Sequence, residues 1–181
     1  MTTVTGPTVI GLAGWSGAGK TTLLIKVIPL LIRRGLQVST LKHAHHGFDV
    51  DQPGKDSHSH RAAGATEVLV SSGRRWALMH ELRQEPEPTL ADLLPHLSPV
   101  DLVIIEGFKR APHPKLEVHR AANGKPFLHP DNATIACVAT DQPDLVTDRP
   151  ALHLDDIDAI ATAMIQYAKP WQGGSDGAAH G

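Results

Sequence analysis

Residues 14–21 read GWSGAGKT, and no other stretch of the chain restricts its fold so tightly. They satisfy G-x-x-x-x-G-K-[ST], directly after the apolar run PTVIGLAG (7–14) and at the start of KTTLLIKVIPLLIRRG (20–35). A short uninterrupted apolar run is the pattern of a parallel strand covered on both faces. The second run has apolar residues at 23, 24, 27, 28, 30, 31 and 32, a helical spacing, with Arg33 and Arg34 in the last turn. Gly35 is its expected cap, and Pro29 should kink it by removing a backbone bond. A glycine-rich turn between such a strand and helix lets successive N–H groups point inward at phosphate oxygens, with the positive helix end behind them. Gly14, Gly17 and Gly19 permit the curl, Lys20 reaches the β- and γ-phosphates, and the Thr21 hydroxyl can ligate Mg²⁺. The stretch predicts a nucleoside-triphosphate site.

The rest of the chain alternates strands with helices. LQVSTLKH (36–43) reads as a second strand, DSHSHRAAGA (56–65) as a short helix, and TEVLVSS (66–72) and RWALMHEL (75–82) as two strands joined at Gly73. TLADLLPHL (89–97) reads as a short helix, VDLVIIEG (100–107) as a central strand, and PKLEVHR (114–120) and ATIACVATD (133–141) as further strands. DDIDAIATAMIQYA (155–168) has helical period, with first-turn acids that suit the dipole. The pattern predicts a three-layer α/β fold of the P-loop NTPase kind with a mainly parallel sheet. One domain is expected over 1–168, followed by a disordered, Gly-rich tail over 169–181.

Composition removes several classes. The net charge of −2 gives no global basic field to draw the chain to nucleic acid or anionic lipid. A single cysteine, Cys137, excludes an internal disulfide and a multi-cysteine zinc site, and its apolar neighbours mark it as a core residue. No apolar stretch reaches the ~18 residues of a membrane span, and the N-terminus lacks a signal-peptide pattern, so a cytoplasmic location is expected.

Three further features bear on the site. An acid at the end of an apolar strand is the usual second holder of Mg²⁺ beside a phosphate loop. Glu106 ends DLVIIEG, Gly107 lets the chain turn there, and Asp101 sits at the far end of the strand. Asp141 follows another apolar strand, where a carboxylate could accept from N1–H and N2–H₂ of guanine. Thr140 and Asp141 stand without the lysine usual in such a motif, which leaves the base open at this point. The segment KHAHHGFDVDQPGKDSHSHRAAGA (42–65) holds five of the twelve histidines: His43, His45, His46, His58 and His60. It leaves the carboxyl end of the second strand, where open α/β sheets bind ligands. Lys42, Lys55 and Arg61 could face phosphates there, and Asp49 or Asp51 the Mg²⁺. Imidazoles suit Zn²⁺ or Ni²⁺, but His45 and His46 are adjacent and project to opposite sides of an extended chain. A metal site, a solvated loop and a nucleotide, pterin or partner surface are the competing readings.

GLAGWSGAGKTTL, the 42–65 segment, LVIIEGFKR and PKLEVHR together resemble the MobB family, over about residues 8 to 145. These are adapter proteins of molybdopterin-guanine dinucleotide biosynthesis, similar to the dimeric P-loop GTPases. The K-H-x-H-H-x-F-D-x-D-x-P-G-K-D-S run and E-G-F-K-R carry the resemblance more than the phosphate loop does. It implies GTP with Mg²⁺ as cofactors, weak hydrolysis, a homodimer, and a partner guanylyltransferase that joins GMP to molybdopterin, with molybdopterin and molybdoenzymes as further contacts. By the resemblance, Gly17, Ala18, Gly19, Lys20, Thr21 and Thr22 hold the phosphates, with Gly14 and Ser16 completing the loop. Asp49 and Glu106 lie near the metal with Thr21, and Asp141 is the candidate for the base. Lys42, His43, His45, His46, Lys55 and Arg61 form a pterin or partner surface. Two alternatives remain. A P-loop small-molecule kinase would need an arginine-bearing lid, for which Arg74 and Arg75 are the candidates. A nickel or zinc metallochaperone GTPase would be expected to bring cysteine-containing ligand sets, which the lone Cys137 does not supply.

Overall fold

A computed structural model describes residues 6–44, 47–142, 144 and 147–173. Contacts divide the chain into two compact units, one of Met1–His43 with Thr89–Gly181 and one of Ala44–Pro88.

The larger unit is built on a sheet in the order β2-β5-β1-β6-β7-β8. Its strands are β1 (Thr8–Ala13), β2 (Val38–Lys42), β5 (Leu102–Glu106), β6 (Lys115–His119), β7 (Ile135–Thr140) and β8 (Ala151–His153). All six run parallel. The two apolar runs β1 and β5 are central neighbours, with Val9 opposite Val103 and Leu12 opposite Glu106. Helices α1 (Lys20–Arg33) and α4 (Ile157–Tyr167) cover one face. Leu23, Leu24, Val27 and Leu31 of α1 pack with Ile160, Ala161 and Met164 of α4 against Ile10, Leu12, Leu102, Ile104, Leu116 and Val118. On the other face Leu90 of α3 (Leu90–Leu93) and Leu94 just beyond it meet Val9, Val103 and Ile105. Cys137 is fully buried in the first core, as its apolar surroundings implied, and burial pushes its thiol up to about 12.

Helix α1 stays continuous through Pro29 and stops where the sequence indicated. Gly35, at φ 87, donates to Ile32 O, and Leu36 N–H reaches back to Leu31 O. These two bonds satisfy carbonyls that the helix end would otherwise leave open. At the other end of the chain the expected tail starts as structure. Lys169–Pro170 form β9, antiparallel to β1, and Trp171 N–H donates to Pro7 O at 2.9 Å. Residues 174–181 of that tail lie outside the described residues.

Strand β6 is buried along its whole length although it reads KLEVH. Its charges are held by bonds from segments that have no regular pattern of their own. Lys115 Nζ donates to His113 O and Thr134 Oγ1, both at 3.0 Å, and also to Ala111 O. Glu117 accepts from Leu128 N–H at 2.6 Å, His129 N–H at 3.0 Å and His129 Nδ1 at 3.1 Å. Buried charges are tolerated when so many partners surround them.

The smaller unit comprises α2 (Asp56–Ala62) and the antiparallel hairpin β3 (Glu67–Ser71) and β4 (Trp76–His80), with Leu69 opposite Leu78. Ser72 closes its turn, its hydroxyl accepting from Arg74 and Arg75 N–H. Arg61 on α2 is the electrostatic centre of this unit. Its guanidinium donates to Asp49 at 2.8 Å, Asp51 at 2.7 Å and Glu81 at 3.3 Å, and these carboxylates, Asp51 foremost, raise its already high pKa.

Candidate nucleotide-binding site

The phosphate loop emerges from β1 at the carboxyl edge of the sheet and turns on glycines with positive φ: Gly14 at 144°, Gly17 at 81° and Gly19 at 94°. These are backbone states that side chains rarely adopt. Gly14 is also required by space, since a Cβ there would stand 2.5 Å from Val118 O of β6. Ala18 is buried beneath the loop, while Ser16, Thr21 and Thr22 are exposed around it. Lys20 opens α1 and folds back over the loop, donating to Gly14 O at 2.7 Å and Trp15 O at 3.0 Å. Burial lowers its pKa, and Glu106 opposes that shift.

Glu106 reaches the same edge because β5 lies between β1 and β2, opposite both Leu12 and Lys42 in register. Its side chain is 16% exposed, and Lys42 Nζ is 3.8 Å from its carboxylate. The turn that follows is unusual in having two positive φ values in succession, Gly107 at 97° and Phe108 at 47°. His43 fits into this turn. Its N–H donates to Glu106 O at 2.8 Å, its ring lies 5.1 Å from that of Phe108, and a Cβ on Gly107 would stand 2.6 Å from His43 Cβ. The two most specific sequence signals, around Lys42–His43 and Glu106–Phe108, are therefore one packed corner.

Asp141 lies just beyond β7, and its Oδ1 accepts from Ala121 N–H at 2.8 Å. Thr140 before it is buried and bonded to His119 Nδ1 at 3.0 Å. Ala121 belongs to a strap over residues 120–127, of which the sequence pattern covers only Arg120, as the end of the PKLEVHR strand. Asn123 Nδ2 donates to Ser16 O at 2.9 Å, and Trp15 Nε1 donates to Pro126 O at 2.8 Å. The Lys125 ammonium stands 5.9 Å over the Trp15 ring. Phe127 stacks on His119 at 3.7 Å. Trp15, to which the sequence pattern gives no role, is thus an anchor for this strap. No local pattern marks such a role; the only clue is an aromatic residue inside a glycine-rich loop.

The remaining sequence candidates lie in the smaller unit. Asp49, expected near the metal, and Arg61, expected at a phosphate or partner surface, are ion-paired to each other. Asp51 and Glu81 share the same guanidinium. Lys55 precedes α2 as its N-terminal boundary residue. His45 and His46 fall outside the described residues. Among the described residues no group of three or more His, Cys, Asp or Glu is arranged to hold a metal ion by itself. The corner of Glu106, Lys42 and Lys20 instead suits a cation that arrives with phosphates, since Mg²⁺ takes few protein ligands and keeps water and phosphate oxygens. No helix among the described residues is long and apolar enough to cross a membrane.

Comparison with known proteins places the chain among relatives. The family described as Molybdopterin guanine dinucleotide synthesis protein B matches residues 9–141. The molybdopterin-guanine dinucleotide biosynthesis adapter protein of Haemophilus influenzae is 43% identical over 167 residues, 91% of each chain. Its Escherichia coli counterpart is 39% identical, covering 91% of this chain and 95% of the relative. A crystal structure of molybdopterin-guanine biosynthesis protein B superposes with a TM-score of 0.70 at 27% identity, covering 87% of this chain and 98% of the other. Bacillus subtilis MobB superposes at 0.67 and 24% identity, a likeness of fold, over 90% and 98% of the two chains. A family match over residues 9–141 and relatives at 43% and 39% identity place this chain in the MobB family, to which it belongs.

Proposed function

We propose that this chain is a GTP-binding adapter of molybdopterin-guanine dinucleotide synthesis, acting beside a cytoplasmic guanylyltransferase and hydrolysing GTP slowly. The observation that carries the reading is the glycine-curled loop with Lys20 and Glu106 converging at one sheet edge. Gly14 and Ser16 to Thr22 would cradle the phosphates, with Thr21 and Glu106 nearest the Mg²⁺ that accompanies them. Asp49 is a weaker metal candidate, since its carboxylate is already paired with Arg61. Asp141 presents acceptors and no donor, which matches the adjacent donors of guanine. The adapter names of the relatives supply the pathway. Lys42 and His43 at the corner of the larger unit are assigned to pterin or partner contact, and His45, His46, Lys55 and Arg61 of the smaller unit are separate candidates for the same role.

A homodimer belongs to the same reading. Two-stranded sheets are marginal alone, yet β3 and β4 expose Leu69, Trp76 and Leu78 on one face. A second copy, bringing the same face, would cover it. The test of the functional reading is the formation of molybdopterin-guanine dinucleotide by the purified guanylyltransferase, with and without this chain and GTP. Stimulation that requires the chain, and that falls when His43 and Lys42 are replaced by alanine, is the expected result. Identical product formation without the chain would refute the adapter role.

A further inference from the structure

We propose that Arg120 is a phosphate-contacting residue, delivered to the nucleotide site within the same chain by the 120–127 strap. The inference rests on the nucleotide-binding reading and extends it to a residue outside the phosphate loop. Arg120 follows β6, about a hundred positions after the loop, yet its guanidinium lies against it. Nη2 stands 3.6 Å, and Nε 3.8 Å, from where a Cβ on Gly19 would be. Among the described residues that guanidinium has no hydrogen bond or ion pair, unlike Arg61, which binds three carboxylates.

The placement is built rather than incidental. The strap is fastened on the loop side by Asn123 to Ser16 O and by Pro126 O to Trp15. On the base side Asp141 takes the N–H of Ala121, the next residue after Arg120. The backbone that carries the guanidinium is therefore held at both of its ends, while the side chain is left unbonded. Beside Gly19 the Arg120 guanidinium makes no bond to the loop's carbonyls, three of which already accept from Lys20 and Asn123. An anion in the loop supplies the missing acceptor, and the planar fork suits two phosphate oxygens at once. Lys20 approaches the same loop as a point charge, so the two cations differ in geometry and do not duplicate each other. The Ala121–Asp141 bond further makes the base determinant and the phosphate contact parts of one strap.

The test is competition by GTP and by guanosine against a fluorescent GTP analogue, on the full chain and on Arg120→Ala and Arg120→Lys, at two ionic strengths. Loss of a charge-assisted contact should weaken GTP roughly tenfold in Arg120→Ala while guanosine changes by less than about twofold. The salt dependence of GTP binding should fall with the lost charge, and Arg120→Lys should restore that dependence but only part of the affinity. GTP affinity unchanged within about twofold in Arg120→Ala, with wild-type binding intact, overturns this inference alone. An equal loss for guanosine and GTP also overturns it, since the strap would then be acting on the base only. Failure of the folded wild type to bind GTP removes the nucleotide-binding reading itself.

Discussion

His113 should make this protein sensitive to mild acid in a way that a single substitution removes. The side chain is 3% exposed, and neither ring nitrogen has a hydrogen-bond partner. It lies over β1, where a Cβ on Gly11 would come within 2.4 Å of its Nε2, with Trp171 on its flank at 6.4 Å. Burial, aided by the Lys115 charge, lowers its pKa from 6.5 to about 3. A base with a depressed folded pKa favours the folded state fully above its unfolded pKa, and that contribution is lost as pH falls below it. The window therefore opens near pH 6.5 and closes near pH 3. At 1.36 kcal/mol per pH unit, going from neutral pH to pH 5 costs about 2 kcal/mol through this one group. Urea unfolding of the wild type and of His113→Leu at both pH values isolates the effect, because every other titrating group cancels in the difference. With a denaturant slope of about 2 kcal/mol/M, the wild-type midpoint should fall by about 1 M more than the variant's. At neutral pH the variant should lose little, since it also removes two unbonded buried polar atoms. Equal acid dependence in the two proteins would refute the reasoning.

Three other outcomes follow from particular contacts. Glu117→Ala should destabilise the fold by about 3 kcal/mol or more, because the Leu128 and His129 donors lose their shared acceptor in a buried site; a change below about 1 kcal/mol in chemical unfolding would show that water replaces the carboxylate. Asp141→Asn should keep its amide oxygen on Ala121 N–H and turn its NH₂ outward, moving preference from GTP toward XTP by about ten- to a hundredfold in competitive displacement. Unchanged selectivity would clear Asp141 of base recognition. Leu78→Asp on the exposed hairpin face should convert a dimer to a monomer in sedimentation analysis, and a wild type that is already monomeric at micromolar concentration would contradict the dimer.

Much of the larger unit was legible because its signals are local. The apolar runs of β1 and β5, the helical spacing of α1 and the glycines of the phosphate loop each carry their own reason to fold as they do. What escaped depends on partners distant in sequence. β8 and β9, of three and two residues, exist only as additions to β7 and β1. The charged pattern of β6 conceals a fully buried strand, because the groups that bind Lys115 and Glu117 come from irregular segments. Taken one by one, the acids and bases of the 42–65 segment each look like a ligand. Arg61 takes Asp49 and Asp51 for itself, and a list of residues does not reveal which charges pair. Arg120 was missed for the same reason, since only the return of β6 beside β1 brings it to Gly19.

Calorimetric titration of the full chain with GTP and Mg²⁺, alongside Lys20→Ala, tests the central claim most directly. Lys20 is the loop's own cation, partly buried and bonded to Gly14 O and Trp15 O, with Glu106 acting on its charge. The account predicts one GTP per chain for the wild type and a loss of more than about tenfold in Lys20→Ala, with the melting temperature unchanged. GTP affinity that survives the substitution within about threefold would contradict it, because the phosphate loop would then not be where the nucleotide binds.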